Sequence, residues 1–416
     1  MGKVIVSGLG VLSVLGNTLA EHIECMKAGI HKFDKPENYN AAYNSCRVQI
    51  DNPGSYIKNK KAMRFYGKDT IMALTAASLA IEDSALPAGY FGGHPYESGL
   101  ILGTSYIPTG LDAGKLLGEY ITEDGKFDYC EFGNTGIRIL PPLWMLSKLP
   151  NTPAGQISIE KQIRGLTYSI ANGMNSGLVS IGEAFLAILQ DRESTMICGG
   201  TDMEIRPDYL AECKKKKILS QRKQPAVFSL AGDGYVDAEG AAIIILQSEE
   251  EHLESNGKAY AEVTGYHNAY IPQIDQMAAQ EISEYMISCM KAAMKMADVD
   301  TDRIKFIQVS AGGDYRLDYA EALAIGKLFD QRTEISSAQA YVGNTRAASG
   351  AISAALACLQ LREAFLAERI NEGDLLAGQD RFNPGELSQA QEVYCLVNSF
   401  SYLGEVCTIV LKNYQG

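Results

Sequence analysis

The chain has 416 residues, of which 46% are hydrophobic and 21% are charged, a balance typical of a compact globular protein. Its 37 basic and 50 acidic residues give a formal net charge of −13, which argues against nucleic-acid binding because phosphate backbones are neutralised by an excess of Lys and Arg. No apolar run reaches the roughly 18 residues of a membrane span. The nine cysteines have no CxxC pair and no metal-ligand spacing, so we expect reduced thiols, no metal site and a cytoplasmic location.

The first third of the chain alternates short β-branched runs with longer helical stretches, which predicts α/β layering. A strand is predicted from Val4 and closes in a glycine turn at Gly8-Leu9-Gly10. Because this strand begins at the N-terminus, we expect no cleavable signal peptide before it. A helix of about 12 residues follows, then an amphipathic helix over 67–83 and a buried strand over 99–104.

A later part of the chain echoes an earlier one. A predicted strand over 167–172 leads through a turn to a helix that begins near Gly177. A second strand over 334–337 leads to a helix that begins near Gly350, and the two helix starts are 350 − 177 = 173 residues apart. Both helices have a β-branched residue third and Ser fourth, which predicts two related α/β halves.

Five segments, in order along almost the whole chain, resemble motifs of the β-ketoacyl-acyl-carrier-protein synthases. They are Val6–Gly16, Gly199–Asp202, Asp233–Ala241, Gly343–Gly350 and Asn398–Phe400. The resemblance implies an α/β thiolase fold, in which two related βαβαβαββ-type halves form a five-layered α/β/α/β/α core. We place the halves at residues 1–250 and 251–416, with a solvated junction at Glu249-Glu250-Glu251.

The chemistry that this family performs is decarboxylative condensation. A Cys at a helix N-terminus carries the acyl chain as a thioester, two His residues assist loss of carbon dioxide and stabilise the enolate, and a Lys supports them. Matching motif by motif, the Cys position holds Met174, the first His position Ser310, the Lys position Gln339 and the second His position Asn344. The resemblance therefore implies that all four catalytic residues are absent.

The distribution of histidine supports this interpretation. His267 is the last of the five histidines, so the final 416 − 267 = 149 residues contain none, although both histidines of the family belong there. A thioether cannot form and release an acyl thioester, and Ser or Asn cannot shuttle protons near neutral pH. We expect no condensing activity from this chain alone.

Ketosynthase-like chains without catalytic residues are typified by the chain-length factors of bacterial type II polyketide and polyene synthases. The resemblance implies a heterodimer with an active ketosynthase, whose acyl tunnel this chain would close. It also implies substrates carried on the phosphopantetheine of an acyl carrier protein, with no bound cofactor. The expected dimer strand is Tyr168-Ser169-Ile170-Ala171.

Two further sets of residues follow from the resemblance, each with an ordinary structural alternative. Leu111, Leu116, Leu117 and Tyr120 are candidates for setting product length, or else plain core residues. Candidates for carrier-protein docking lie in two basic stretches, which otherwise would be solvated helix faces. They are Lys60, Lys61, Arg64, Lys215 and Arg222.

Other functions remain open at this point. Asn344 and Ser310 could donate hydrogen bonds to a malonyl thioester and favour its decarboxylation, which would supply starter units. The chain could instead be a homodimeric binding protein without catalysis. Ser176 as a hydrolase nucleophile is disfavoured because it lacks a GxSxG elbow, and Gly8-Leu9-Gly10 as a dinucleotide motif is disfavoured because Ser13 replaces its third glycine.

Overall fold

A computed structural model describes residues 2–33, 45–105, 111–140, 143–370, 374–376 and 380–415. The strands in this part of the chain are β1 Val4–Leu12, β2 Ser45–Cys46, β3 Ser98–Gly103, β4 Thr167–Ile170, β5 Thr195–Thr201, β6 Asp237–Ala238, β7 Ala241–Ser248, β8 Ala261–Tyr270, β9 Ile304–Gln308, β10 Glu334–Ser336, β11 Phe365–Leu366, β12 Gly385–Glu386, β13 Tyr394–Phe400 and β14 Glu405–Asn413.

The α-helices are α1 Leu19–Ala28, α2 Lys68–Asp83, α3 Tyr90–Gly93, α4 Leu111–Gly118, α5 Tyr129–Asn134, α6 Thr152–Lys161, α7 Ser176–Leu189, α8 Pro207–Lys216, α9 Glu249–Ser255, α10 Ala279–Ala297, α11 Tyr315–Leu328, α12 Gln339–Val342 and α13 Ser349–Arg362. Short 3₁₀ turns span Pro53–Ser55, Met63–Phe65, Gly136–Arg138, Leu146–Lys148, Gly173–Asn175, Ile274–Gln276, Thr301–Arg303 and Arg346–Ala348.

Ten strands form one sheet in the order β10-β9-β13-β14-β8-β1-β7-β5-β3-β4. The first strands of the two halves meet in its middle, where Val4–Val6 of β1 pair antiparallel with Ala261–Val263 of β8. Outward from this joint the strands follow one plan on both sides, since β1-β7-β5-β3-β4 mirrors β8-β14-β13-β9-β10. The predicted relation between two halves is therefore present in the strand order.

Helices α7 and α13 occupy equivalent places in the two halves and pack against each other between them. A Cβ on Gly177 would lie 2.7 Å from the Ala347 carbonyl oxygen, and one on Gly350 would lie 2.6 Å from Leu178 Cβ. Glycine at both positions therefore permits the close approach. With α2 outside the first half of the sheet and α10 and α11 outside the second, the layers are α/β/α/β/α, and the predicted thiolase fold is confirmed.

Several predicted elements agree with the structure to within one or two residues. The helix predicted over 67–83 is α2, the strand over 99–104 is β3, and the two echoed helices are α7 and α13. Each lies in an uninterrupted periodic pattern bounded by turn residues, which is where sequence patterns are most informative. In the described part of the chain, no helix has the length and apolarity that crossing a membrane demands.

The predicted glycine turn in the first strand is wrong. Strand β1 continues through Gly8 and Gly10 to Leu12, with a bulge after Val6. A Cβ on Gly10 would lie 2.0 Å from the Ala76 carbonyl oxygen, so this glycine serves close packing of α2 on the sheet and not a reversal of the chain.

The expected junction at Glu249-Glu250-Glu251 lies in a helix, and Glu250 is exposed. These residues form the first turn of α9, where Ser248 caps the helix by accepting a hydrogen bond from the Glu251 amide. Acidic side chains are favoured there by the helix dipole. The division of the chain at residue 250 stays a prediction.

Candidate functional site

Met174 lies in the 3₁₀ turn Gly173–Asn175, between the end of β4 and the start of α7. Its side chain is buried, with 7% of the residue exposed. The side-chain Nδ2 of the neighbouring Asn175 donates to the Ser399 carbonyl oxygen at 2.6 Å, and Ser399 Oγ donates to Asn175 Oδ1 at 2.9 Å. These bonds hold the C-terminal Asn-Ser-Phe segment against the helix N-terminus.

Asn344 follows α12 and faces Met174 across the two halves. Its Nδ2 is 3.9 Å from the Met174 sulfur. Its Oδ1 accepts from the Arg346 amide at 2.8 Å, and its own amide donates to the Val236 carbonyl oxygen at 2.8 Å. The asparagine is thus fixed, with its amide group directed at a thioether, which is a weak hydrogen-bond acceptor.

Ser310 and Gln339 are joined directly, since Gln339 Nε2 donates to the Ser310 carbonyl oxygen at 2.7 Å. The Ser310 hydroxyl accepts from the Phe400 amide at 2.7 Å and donates to the Phe400 carbonyl oxygen at 3.1 Å. Its hydrogen-bonding groups are therefore occupied by the backbone. A substrate carbonyl would have to break these bonds to recruit the hydroxyl.

Ser310, Gln339 and Asn344 line one small cavity of about 20 Å³ together with Tyr235 and Phe400, among other residues. A space of this size holds about one water molecule. Two buried polar atoms of its walls, Gln339 Oε1 and the Tyr235 hydroxyl, have no hydrogen-bond partner among the described residues. The structure therefore brings the four predicted positions together, with Met174 in contact with Asn344 and the other three around the cavity.

Carboxyl groups behind the cavity act as acceptors for its backbone. Glu321 accepts from the amides of Ser310 at 3.1 Å and Ala311 at 2.8 Å and from Asn398 Nδ2 at 3.0 Å. Burial raises the pKa of Glu321 to about 7, against the lowering effect of these hydrogen bonds. Burial likewise raises the pKa of Asp318, which accepts from the amides of Gly312 and Gly313.

One thiol lies near Met174, but it is poorly suited to nucleophilic attack. Cys213 of α8 packs with Met174, Ile218, Leu219 and Tyr235 in a buried apolar cluster. Burial raises the pKa of the Cys213 thiol to about 11, so it is protonated near neutral pH. Because the thiolate is the reactive form, this cysteine is not an activated nucleophile.

Among the described residues, no histidine, cysteine or lysine lines the cavity. His22, for example, is buried elsewhere, within hydrogen-bonding distance of Ser13 Oγ and the Thr18 carbonyl oxygen. Ser176 is buried, and its Oγ donates to the Gly173 carbonyl oxygen at 2.7 Å. The described part of the chain also contains no group of three or more potential metal-ligating His, Cys, Asp or Glu side chains.

A buried charge network next to Asn344 was not predicted from the sequence. Arg346, 3% exposed and at φ 54°, pairs with Asp237 at 3.3 Å and with Asp202 at 3.7 Å. Asp202 also accepts from Ser105 Oγ at 2.7 Å and from the Ala347 amide at 2.9 Å. The network joins the ends of β3 and β5 to the Asn344 turn. The sequence signal for this network is that Arg346, Asp237 and Asp202 are charged although the motifs around them predict burial.

The proposed product-length residues lie in and after α4. Leu116, Leu117 and Tyr120 are half-buried, whereas the side chain of Leu111 lies outside the described residues. The Tyr120 ring packs on Phe132 at 5.3 Å and Phe127 at 6.5 Å, which gives it a structural role whatever else it does.

The proposed docking residues Lys60, Lys61, Arg64, Lys215 and Arg222 are all exposed. Lys215 lies in α8, the helix that also contains Cys213, and Arg222 follows this helix. Within the basic stretches Lys68 is tied to Glu239 at 2.5 Å and Lys216 to Glu212 at 3.0 Å. Their role in docking stays a prediction.

Strand β4, which begins the expected dimer segment, is one edge of the large sheet. It pairs in parallel with β3, and its two central positions are Tyr168 and Ser169. Tyr168 is 38% exposed. Ala171 follows the strand and is exposed. The edge thus leaves a row of backbone groups facing outward.

Sequence comparison assigns the chain to a family. Residues 1–252 match the family described as "Beta-ketoacyl synthase, N-terminal domain", and residues 260–372 match "Beta-ketoacyl synthase, C-terminal domain". The chain belongs to the β-ketoacyl synthase family. Among its relatives, 3-oxoacyl-[acyl-carrier-protein] synthase 2 of Coxiella burnetii is 25% identical, with 99% of this chain and 98% of that protein covered. Synthase 1 of Haemophilus influenzae is 26% identical over the full length of both.

Solved structures of β-ketoacyl synthase relatives share the fold over the whole chain. The ishigamide ketosynthase/chain length factor superposes with a TM-score of 0.85 at 20% identity, covering 100% of both chains. A ketosynthase of a type II polyketide synthase complex with its acyl-carrier protein, bound to the hexaketide, has a TM-score of 0.81 at 21% identity, covering 99% of this chain and 100% of that one.

Proposed function

We propose that this β-ketoacyl synthase family member is a non-condensing subunit that forms a heterodimer with an active ketosynthase and shapes the end of its acyl tunnel. The observation that carries the proposal is the contact between Met174 and Asn344, beside a cavity that no thiol, imidazole or amine of the described residues lines. Condensation needs a nucleophile and donors for the developing enolate. A thioether facing a carboxamide supplies no nucleophile.

The size of the cavity supports the same conclusion. An acyl thioester has far more atoms than the single water molecule that about 20 Å³ accommodates. The substrates of the pair, acyl chains on the phosphopantetheine of an acyl carrier protein, would therefore react on the partner. The relatives named as acyl-carrier-protein synthases support such substrates, and the ketosynthase/chain length factor of matching fold supports the proposed pairing.

An open sheet edge supports a partner chain. Leu100 and Thr104 donate to the carbonyl oxygens of Leu166 and Ile170, so alternate residues of β4 direct their backbone groups to β3. By the two-residue period of a strand, Thr167 and Ser169 direct theirs outward. Pairing across a twofold axis would satisfy these groups.

The test is reconstitution with a ketosynthase that retains its Cys and both His. We expect the two chains to co-purify, the pair to condense carrier-bound substrate, and this chain alone to give no product. As a control, replacing the nucleophilic Cys of the partner should abolish product although this chain is unchanged. Condensation by this polypeptide without a companion would overturn the proposal.

A malonyl-carrier decarboxylase is the second candidate, because the Asn344 amide group faces the site. Against it, both hydrogen-bonding roles of the Ser310 hydroxyl are taken by Phe400. Release of carbon dioxide from malonyl-carrier protein by the purified subunit, lost in Asn344→Leu, would favour this candidate. A stable homodimer that does not exchange with a ketosynthase would instead favour a binding protein.

A further inference from the structure

A second, larger cavity lies directly outside the small one. This outer cleft has a volume of about 560 Å³ and is lined in part by Lys217, Ile218, Tyr270, Arg316 and Tyr402. Asp314 lines both the outer cleft and the 20 Å³ cavity, so the two spaces are neighbours. What separates them decides whether a long substrate could pass from one to the other.

Two neighbouring tyrosines line the two spaces, one each. Tyr235 lines the small cavity and Tyr402 lines the outer cleft, and their rings lie 6.2 Å apart. Both pack in the apolar cluster that contains Met174, together with Ile218. We call Tyr235, Tyr402 and Ile218 the tyrosine wall. Met174 packs in the same cluster as the wall and is not among the described residues that line the outer cleft.

The wall is held by backbone hydrogen bonds on both sides. The Tyr235 amide donates to the Ile218 carbonyl oxygen at 2.9 Å. Tyr402 sits in a tight hairpin in which the Ser401 amide donates to the Glu405 carbonyl oxygen and the Gly404 amide donates back to Ser401, both at 3.0 Å. The Lys216 ammonium lies 5.6 Å from the Tyr402 ring centroid, a favourable cation–π arrangement. Opening the passage would break several of these contacts together.

We propose that the tyrosine wall excludes carrier-borne acyl chains from this subunit's own ketosynthase-like site, so that substrate enters only the partner. The proposal rests on the proposed function for its biological meaning, but the exclusion of substrate by the tyrosine wall is a property of this chain alone. Exclusion would persist even if a nucleophile were returned to position 174, because Tyr235, Tyr402 and Ile218 would still cover it.

The experiment places a thiol behind the wall and measures its accessibility. Met174→Cys is made in a Cys130→Ser background, because Cys130 is the exposed native thiol among the described residues. Alkylation of Cys at position 174 by a pantetheine-linked electrophile is followed by peptide mass spectrometry. We expect Tyr402→Ala to accelerate the reaction by at least about tenfold, since a buried thiol reacts only when its cover opens.

The matched control is Tyr270→Ala. Tyr270 also lines the outer cleft and is 60% exposed, but it is not part of the cluster around Met174. We expect this variant to leave the alkylation rate within about twofold of the parent. Equal acceleration by the two alanine variants, or rapid alkylation with the wall intact, would overturn the proposal.

The native Cys213 provides a second probe that needs no new thiol. It is 2% exposed and shares the cluster with Met174 and Tyr235. With an intact wall we expect it to resist the same reagent, and in Tyr402→Ala to react faster while circular dichroism is unchanged. These assays use the subunit alone, so failure of the seal and failure to pair with a ketosynthase are separate outcomes.

Discussion

The two edge strands of the ten-stranded sheet, β10 and β4, occupy equivalent places in the two halves but differ in how far the rest of the chain covers them. At one end, β10 is mostly buried, and the outward-facing amide of Ile335 donates to the Arg381 carbonyl oxygen at 2.9 Å. At the other end, β4 has β3 as its single strand partner among the described residues, and its own residues are half-buried or exposed. The chain thus covers one edge with its own C-terminal segment and leaves the other available to a second polypeptide.

The connections that precede these edges differ in the same sense. Only a short turn and α11 lie between β9 and β10, whereas α4, α5 and α6 lie between β3 and β4. This longer connection carries many of the exposed large apolar side chains of the described residues. They include Ile121, Tyr129, Ile137, Ile139, Leu143, Met145, Leu149 and Ile159. Exposed large apolar side chains in such number are typical of an interaction surface. This asymmetry supports the proposed contact of the β4 edge with a partner chain.

The largest expected effect is on the closed edge. Ile335→Pro removes the amide that donates to Arg381 and should lower the free energy of unfolding by about 3 kcal/mol. Urea denaturation measures this. Ile335→Val, which keeps the amide, should cost only about 1 kcal/mol. Equal losses in both variants would show that side-chain packing, and not the covered edge, stabilises β10.

The equivalent change at the open edge should act on association alone. Ser169→Pro removes an outward amide, a position where proline is tolerated in a strand. We expect the unfolding free energy of the isolated chain to change by less than about 0.5 kcal/mol and affinity for the partner ketosynthase to fall at least about tenfold. Isothermal titration calorimetry measures the affinity. Unchanged affinity would remove β4 from the interface.

The connection between β3 and β4 can be tested through the product. If α4 closes the tunnel of the partner, Leu116→Ala and Leu117→Ala should create space and lengthen the chain that the pair releases. Mass spectrometry of the released products measures this. Ile139→Ala, on an exposed site of the same connection, is the control and should not change product length. An unchanged length in both leucine variants would leave them as ordinary packing residues.

The smallest expected effect is a pH dependence of stability. Burial raises the pKa of Asp69 to about 7 in the folded chain, so the folded state holds a proton that the unfolded state releases above pH about 4. The stability that Asp69 contributes is therefore greatest below pH about 4, where both states are protonated, and it is lost as the pH rises through about 7. From pH 6 to pH 8 we expect Asp69 to contribute about 1 kcal/mol to the loss of stability, a contribution that Asp69→Asn removes and that Asp51→Asn, at an exposed position, leaves in place. A slope of opposite sign would contradict this.

Sequence patterns anticipated the fold because its signals are local. Helix α2 and strand β3 repeat their apolar residues with the period of their structure, and the motif around Met174 lies within a few residues of one helix start. The prediction of a glycine turn in β1 was wrong because glycine at position 10 is required by close packing against Ala76, which is distant in sequence. The Arg346 network and the pairing of Tyr235 with Tyr402 also join distant segments, so no local pattern could indicate them.

The pairing of β1 with β8 has a consequence for how this protein unfolds. Strand β1 of the first half pairs with strand β8 of the second half, so each strand covers what would otherwise be an open edge of the other half. Helices α7 and α13 pack against each other through the faces that contain Gly177 and Gly350. Neither half can melt without exposing apolar surface of its counterpart, so unfolding should be a single cooperative event. We therefore expect that proteolytic cleavage near α9 releases no stable fragment. The nicked protein should stay folded or unfold as one unit.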